Sequence, residues 1–136
     1  MKKILFFLLT LLPALLAAGA DKNGSKAAAP KYQVYGVAFY NLENLFDTIP
    51  NNPLGRDDEY TPKGKNMWTG ERYKSKIHNL AYAISNFTSK VTPNGPAFIG
   101  VSEIENRSVL EDLVKEVDRQ LVERGQKPWN LQIVHH

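Results

Sequence analysis

Cysteine is absent from the 136 residues. No disulfide can staple the fold, and no cysteine stands at a cleavage site to carry a lipid. A charge of one dominant sign is missing too, with 17 Lys and Arg against 14 Asp and Glu. Internal repeats are absent, and low-complexity sequence is confined to one short leader. The only long apolar run lies at the start of the chain. The whole chain is 43% hydrophobic with two tryptophans, the composition of a globular protein rather than a disordered one, and its length allows one domain at most.

Residues 1–20 read as a secretory signal peptide. Met1-Lys2-Lys3 is a basic start, residues 4–16 are apolar but for Thr10 and Pro13, and Ala18-Gly19-Ala20 is a small-residue cleavage site. The run is too short and wrongly flanked for a spanning helix. An uncleaved anchor is the alternative, and the small residues before Asp21 argue against it. A periplasmic or secreted protein is expected, with no stable membrane association after cleavage. Removing Lys2 and Lys3 leaves 15 basic against 14 acidic residues, a net charge of +1. The alkaline isoelectric point therefore says little about nucleic acid. Residues 21–31, small, polar and containing Pro30, form a flexible leader, and the fold is expected over 32–136.

Along that stretch the pattern alternates. "YQVYGVAFYN" is β-branched and aromatic on both faces, which predicts a central strand buried on two sides. Residues 47–69 hold three prolines and no hydrophobic period, a long connection of the kind that is either functional or disordered. Its acidic cluster Asp57-Asp58-Glu59 lacks EF-hand spacing and reads as a solvated loop. Thr69 is a plausible N-cap, and Tyr73, Ile77, Leu80, Ala81, Ile84 and Phe87 follow at helical spacing. His78 falls on the polar side of that helix, as a surface residue. "AFIGVSEI" predicts a second strand. Ser108 with Glu111 makes a capping box for a second helix, which Gly125 stops. "WNLQIVHH" begins a third strand. The order strand, helix, strand, helix, strand argues for α/β layers.

If a helix crossover joins the first two strands, they run parallel and end on one edge of the sheet, where ligands of α/β folds gather. Asn41 and Glu43 leave the first strand at that edge, and Glu103 leaves the second. Singly, an asparagine after a strand serves a turn and a glutamate there meets solvent. Together, on strands about 4.8 Å or one strand further apart, the two carboxylates can converge on one ion. Oxygen donors with no histidine or cysteine beside them favour magnesium, with manganese or calcium possible, over zinc. A phosphate oxygen can share such an ion, and the Asn41 amide can donate to the same phosphate. Leu42 and Leu45 then face the core while Asn41 and Glu43 face a cleft.

"VAFYNLENLFD" followed by "AFIGVSEIENRSVLEDLV" resembles the first two motifs of the endonuclease/exonuclease/phosphatase superfamily, the DNase-I-like metal-dependent phosphoesterases. "YTPKGKNMWTGERYKSKIHNLAYAI" between them is similar to secreted bacterial nuclease-like members. By this resemblance Asn41 matches the asparagine that helps hold phosphate and metal. Glu43 matches the acidic or amide residue two places on, and Glu103 the principal metal-ligand glutamate. Glu105 reads as a loop or supporting residue. The resemblance implies a four-layer α/β sandwich of which this chain is an incomplete, N-terminal portion. The family's later histidine, Asp-x-Asn and Asp-His pairs have no counterparts, and His135 and His136 lack an adjacent aspartate.

The expectation is an exported nuclease, hydrolysing phosphodiester bonds with magnesium, present as a fragment inactive without the missing C-terminal half. Its substrate is nucleic acid, and Lys63, Lys65, Arg72, Lys74 and Lys76 either line a backbone track or form a solvated face. A secreted, non-catalytic metal- or phosphate-binding module is one alternative. A phospholipid or inositol-phosphate phosphoesterase of the same superfamily is the other.

Overall fold

The first strand, β1, spans Val37–Leu45, and the second, β2, spans Phe98–Ile104. They pair in parallel from Val37 opposite Phe98 to Asn41 opposite Ser102, as a helical crossover requires. The computed structural model describes residues 32–50 and 58–135. The expected signal peptide, the leader and Asp57 of the acidic cluster lie outside the described residues.

The crossover helix α1, Gly70–Ile84, starts where expected. The Thr69 side chain accepts from the Arg72 backbone N–H at 3.3 Å, satisfying one of the donors that a helix start leaves unpaired. Its buried positions Ile77, Leu80, Ala81 and Ile84 recur at helical spacing and turn one stripe to the sheet. Helix α2, Arg107–Glu123, buries Val109, Leu110, Leu113, Val117 and Leu121 in the same way. Its cap differs from expectation. Asn106, not Ser108, accepts from the Val109 N–H at 3.2 Å, and Ser108 donates its hydroxyl to the Asn106 amide oxygen at 2.6 Å. Glu111 pairs with Arg107 one turn away instead of reaching back to the cap. Gly125, at φ 73°, ends the helix in the left-handed conformation that glycine adopts without strain.

Both helices stand on one side of the sheet. Ala38, Leu42 and Leu45 of β1 face them and are buried, and Tyr40, Ile99 and Val101 pack around that core. The other face carries Phe39 and Phe98, whose rings lie 6.4 Å apart and are largely exposed. The two-sided burial expected for the first strand is therefore realised on one side among the described residues.

The third expected strand forms no ladder. Residues 126–135 contain no strand, because Asn130 at φ 52° breaks the extended run. Asp118 of α2 instead accepts from the backbone N–H groups of Trp129 at 2.8 Å and Asn130 at 3.3 Å. Trp129 and Ile133 still pack on the core, roofing a groove of about 1350 Å³ between β2 and α2. The result is an incomplete α/β unit with strand, helix, strand, helix in order. No helix among the described residues is long and apolar enough to cross a membrane.

His78 does not stand alone on the surface. Its Nδ1 lies 2.9 Å from Glu116 Oε1 on α2, and the buried Gln120 donates its amide to the His78 carbonyl at 3.0 Å and to Glu116 at 3.0 Å. Arg119 adds two charge-assisted bonds to Glu116, at 2.6 and 2.5 Å. That Arg119 contact is the main reason the Glu116 carboxyl falls from its ordinary 4.5 to about 2, with Gln120 and His78 acting in the same direction against partial burial.

Two predictions follow from these contacts. A carboxyl held below its unfolded value stabilises the fold above about pH 4.5, and that contribution disappears as the pH falls to about 2. Urea unfolding at steps between pH 5 and pH 2 should show wild type losing its advantage over Glu116→Gln across that window; an unchanged difference would refute the linkage. The second concerns two glycines. A Cβ on Gly95, at φ 86°, would sit 2.4 Å from the Trp129 indole, whose backbone Asp118 holds in place. Gly95→Ala should cost about 1–3 kcal/mol. The three atoms nearest a Cβ on Gly100 all belong to the exposed Phe39 ring, the first at 2.4 Å, and that ring can swing into solvent. Gly100→Ala should cost under about 1 kcal/mol, and thermal unfolding of both variants checks the order.

Candidate functional site

The sheet edge is shaped by an irregularity at the end of β1. Pairing runs regularly to Asn41 opposite Ser102 and resumes at Leu45 opposite Ile104. Three residues of β1, Leu42, Glu43 and Asn44, therefore stand against Glu103 alone. The cause lies in the apolar spacing. Leu42 and Leu45 are both fully buried on the helix side, yet residues three apart on a regular strand face opposite sides. Inserting a bulge brings Leu45 back to the core, at the cost of backbone strain. Glu43 at φ 53° and Asn44 at φ 58° both enter the left-handed region, and Glu103 joins them at φ 59°. For a glutamate that conformation costs on the order of 1–2 kcal/mol, and such strain concentrates at functional sites.

Asn41 links the pieces. Its amide nitrogen donates to Glu103 Oε1 at 2.6 Å, and its amide oxygen accepts from the Glu43 backbone N–H at 2.6 Å. The structure thus joins Asn41 and Glu103 side chain to side chain across 62 positions of sequence, and joins Glu43 to them through its main chain. All three residues are exposed. The Glu43 side chain lines a groove of about 540 Å³ against α1, shared with Trp68, Arg72, Ser75 and Lys76. The donors present are carboxylate and amide oxygens, the chemistry that suits magnesium, manganese or calcium. Among the described residues no group of three or more His, Cys, Asp and Glu is assembled.

The carbonyls that follow are supported one by one. Lys76 of α1 donates its ammonium to the carbonyl of Glu43 and, at 3.0 Å, to that of Asn44. The Glu105 N–H reaches the Leu45 carbonyl at 3.0 Å. The indole N–H of Trp68 reaches the Phe46 carbonyl at 3.1 Å. Trp68 is buried, with Tyr60 and Tyr73 edge-on to it at 6.1 and 6.5 Å and Phe46 stacked on Tyr60 at 4.1 Å. This aromatic row fastens the long connection between β1 and α1.

Glu105 follows the end of β2. Its Oε2 accepts from the Asp47 N–H at 2.8 Å, and Asn106 donates its amide to Asp47 Oδ2 at 2.9 Å, so the exit of β1 is tied to the cap of α2. Tyr73 donates its hydroxyl to Asp112 at 2.7 Å. Burial above all, then this bond and the nearby carboxylates of Asp112, Asp47 and Glu105, push the phenol well above its ordinary value.

Sequence reasoning missed Lys76, Trp68 and Asn106 as parts of this edge. Lys76 had been grouped with a basic surface, whereas it turns inward over the Trp68 ring at 5.4 Å. A tryptophan in an otherwise polar connection was the available signal, since so large an apolar side chain finds cover where it can.

The family model described as Endonuclease/Exonuclease/phosphatase family matches residues 36–136. No curated protein matches the chain, and no solved structure does. The match begins beside β1 and takes in both strand ends that meet at the Asn41–Glu103 contact, and on it the chain belongs to the endonuclease/exonuclease/phosphatase family of phosphoesterases.

Proposed function

We propose that the chain holds metal and phosphate as the first part of an exported, magnesium-dependent phosphodiesterase that acts on nucleic acid. Glu103 and Glu43 hold the ion, with manganese or calcium as substitutes, and Asn41 positions the phosphate. The observation that carries this reading is the 2.6 Å bond from Asn41 to Glu103, which fixes an exposed carboxylate at the end of one parallel strand by an amide at the end of the other.

Each side chain has a distinct task. Asn41 spends one amide proton on Glu103, which sets the orientation of that carboxylate, and keeps a second proton for a phosphate oxygen. Glu43 stands at the left-handed turn of the strand end and lines the groove against α1. The bound ion supplies charge stabilisation at the phosphoryl group undergoing attack. Lys63, Lys65 and Lys74 are exposed on the connection and α1, where they screen the charge of a phosphate backbone. Among the described residues His78 is engaged with Glu116 of α2.

Calorimetric titration with magnesium should show saturable binding to wild type and at least about a tenfold loss in Glu103→Gln. Equal affinity of the two proteins would remove Glu103 from the site. The 136-residue chain alone, given single-stranded or duplex DNA or RNA and magnesium, should give no multiple turnover. Turnover abolished by Glu103→Gln would overturn the inactive-fragment part of the proposal while keeping the site. Binding of magnesium with no hydrolysis, even after supplementation with a complementing family C-terminal half, would favour the non-catalytic module.

A further inference from the structure

We infer that Lys76 is a positioning residue, whose ammonium holds the left-handed pair Glu43–Asn44 in the conformation that presents the Glu43 carboxylate; this rests on the metal site proposed above. The bulge creates the need. Where three residues of β1 stand against one of β2, the ladder cannot serve every backbone group, and a carbonyl left without a donor costs free energy. The two carbonyls in question belong to Glu43 and Asn44, the two successive residues at positive φ. One ammonium, with three protons to donate, reaches both.

The reach is prepared from the helix side. Lys76 is half-buried on α1, and its ammonium lies 5.4 Å from the centre of the Trp68 ring. An indole face attracts a cation and limits the paths it can take. Trp68 is itself held by its bond to the Phe46 carbonyl, three residues beyond Glu43. The cation and the strand end it grips are thus fixed to the same aromatic side chain. Arg72, one turn earlier, donates to the Asn66 carbonyl of its own connection, whereas Lys76 reaches main-chain oxygens of the strand.

A positioning role and a purely electrostatic one predict opposite signs. If Lys76 acted only by its charge, removing it would relieve repulsion and tighten magnesium binding. If it positions Glu43, Lys76→Met should weaken magnesium binding by on the order of 10–100-fold, while Lys76→Arg, which keeps donors for two carbonyls and stacks on indole, should restore most of the affinity.

The deciding arm needs no metal. In amide NMR spectra of the full chain without divalent ions, Lys76→Met should shift the resonances of residues 41–46 and speed their hydrogen exchange, and Lys76→Arg should bring them back toward wild type. In wild type, the Lys76 ammonium protons should be slowed in exchange and show cross-relaxation to the Trp68 indole, a measurement that does not depend on any variant folding. Unshifted amides at 41–46 in Lys76→Met, tighter magnesium binding in that variant, or no Lys76–Trp68 cross-relaxation in wild type would each overturn the inference. Failure of wild type to bind magnesium would overturn the proposed function instead and leave the metal-free result standing.

Discussion

Two leucines three residues apart must lie on the same face of one strand. Leu42 and Leu45 are both fully buried against the helices, and a regular pleat cannot put them there. Burying a leucine is worth about 1.5–3 kcal/mol, comparable to the strain of one or two left-handed residues. The hydrophobic demand therefore holds the bulge in place, and the bulge moves Glu43, Asn44 and Glu103 out of the ladder at the sheet edge. The polar geometry of the candidate site is in this sense a by-product of core packing. A strand that alternated cleanly would have been less strained, and it would have presented Glu43 as one more side chain on the open face.

The contents of the site divide between what a local pattern can reveal and what it cannot. The helices were legible from their apolar spacing, and Thr69 from its place before the first turn. The sequence N-L-E-N-L likewise showed that Leu42 and Leu45 belong inside while Asn41 and Glu43 face out, although its odd spacing already implied a break in the strand. The second cap was misplaced by two positions. Ser108 and Glu111 satisfy the capping-box pattern, but Asn106 caps the helix and also holds Asp47 at the exit of β1, and that tertiary bond favours it over a local motif. The terminal strand failed for a related reason. "WNLQIV" has the composition of a strand, but Asp118 captures the turn at Asn130, and that bond comes from another element. Helical phase puts His78 on the exposed side of α1, where the structure has it, and composition groups Lys76 with a basic set that either tracks a phosphate backbone or faces solvent. Phase alone does not show that a second helix or a strand bulge stands within reach of a polar side chain.

The charged groups illustrate how little formal balance reveals. A net charge of +1 on residues 21–136 conceals two different uses of cations. Arg119 is exposed and bound to Glu116 and Glu123 along one helix face, where its main effect is to keep Glu116 ionised beside His78 and Gln120. Lys76 makes its bonds to main-chain oxygens of another element. The first organises the packing of α1 on α2, and the second reaches from α1 to the sheet edge. The indole and the lysine of that edge belong to the segment between the two motifs, and the second cap lies within the second.

The four carbonyls from Glu43 to Phe46 are answered by three separate parts of the chain: a helix lysine, the main chain just past β2, and an indole in the connection. No single element can hold this stretch in shape by itself. An intermediate with β1 formed but α1 undocked would lack the ammonium, and one with β2 unpaired would lack the N–H of Glu105. A cation held at this edge would therefore depend on assembly of the whole unit, and its binding would in turn stabilise every contact that made it possible.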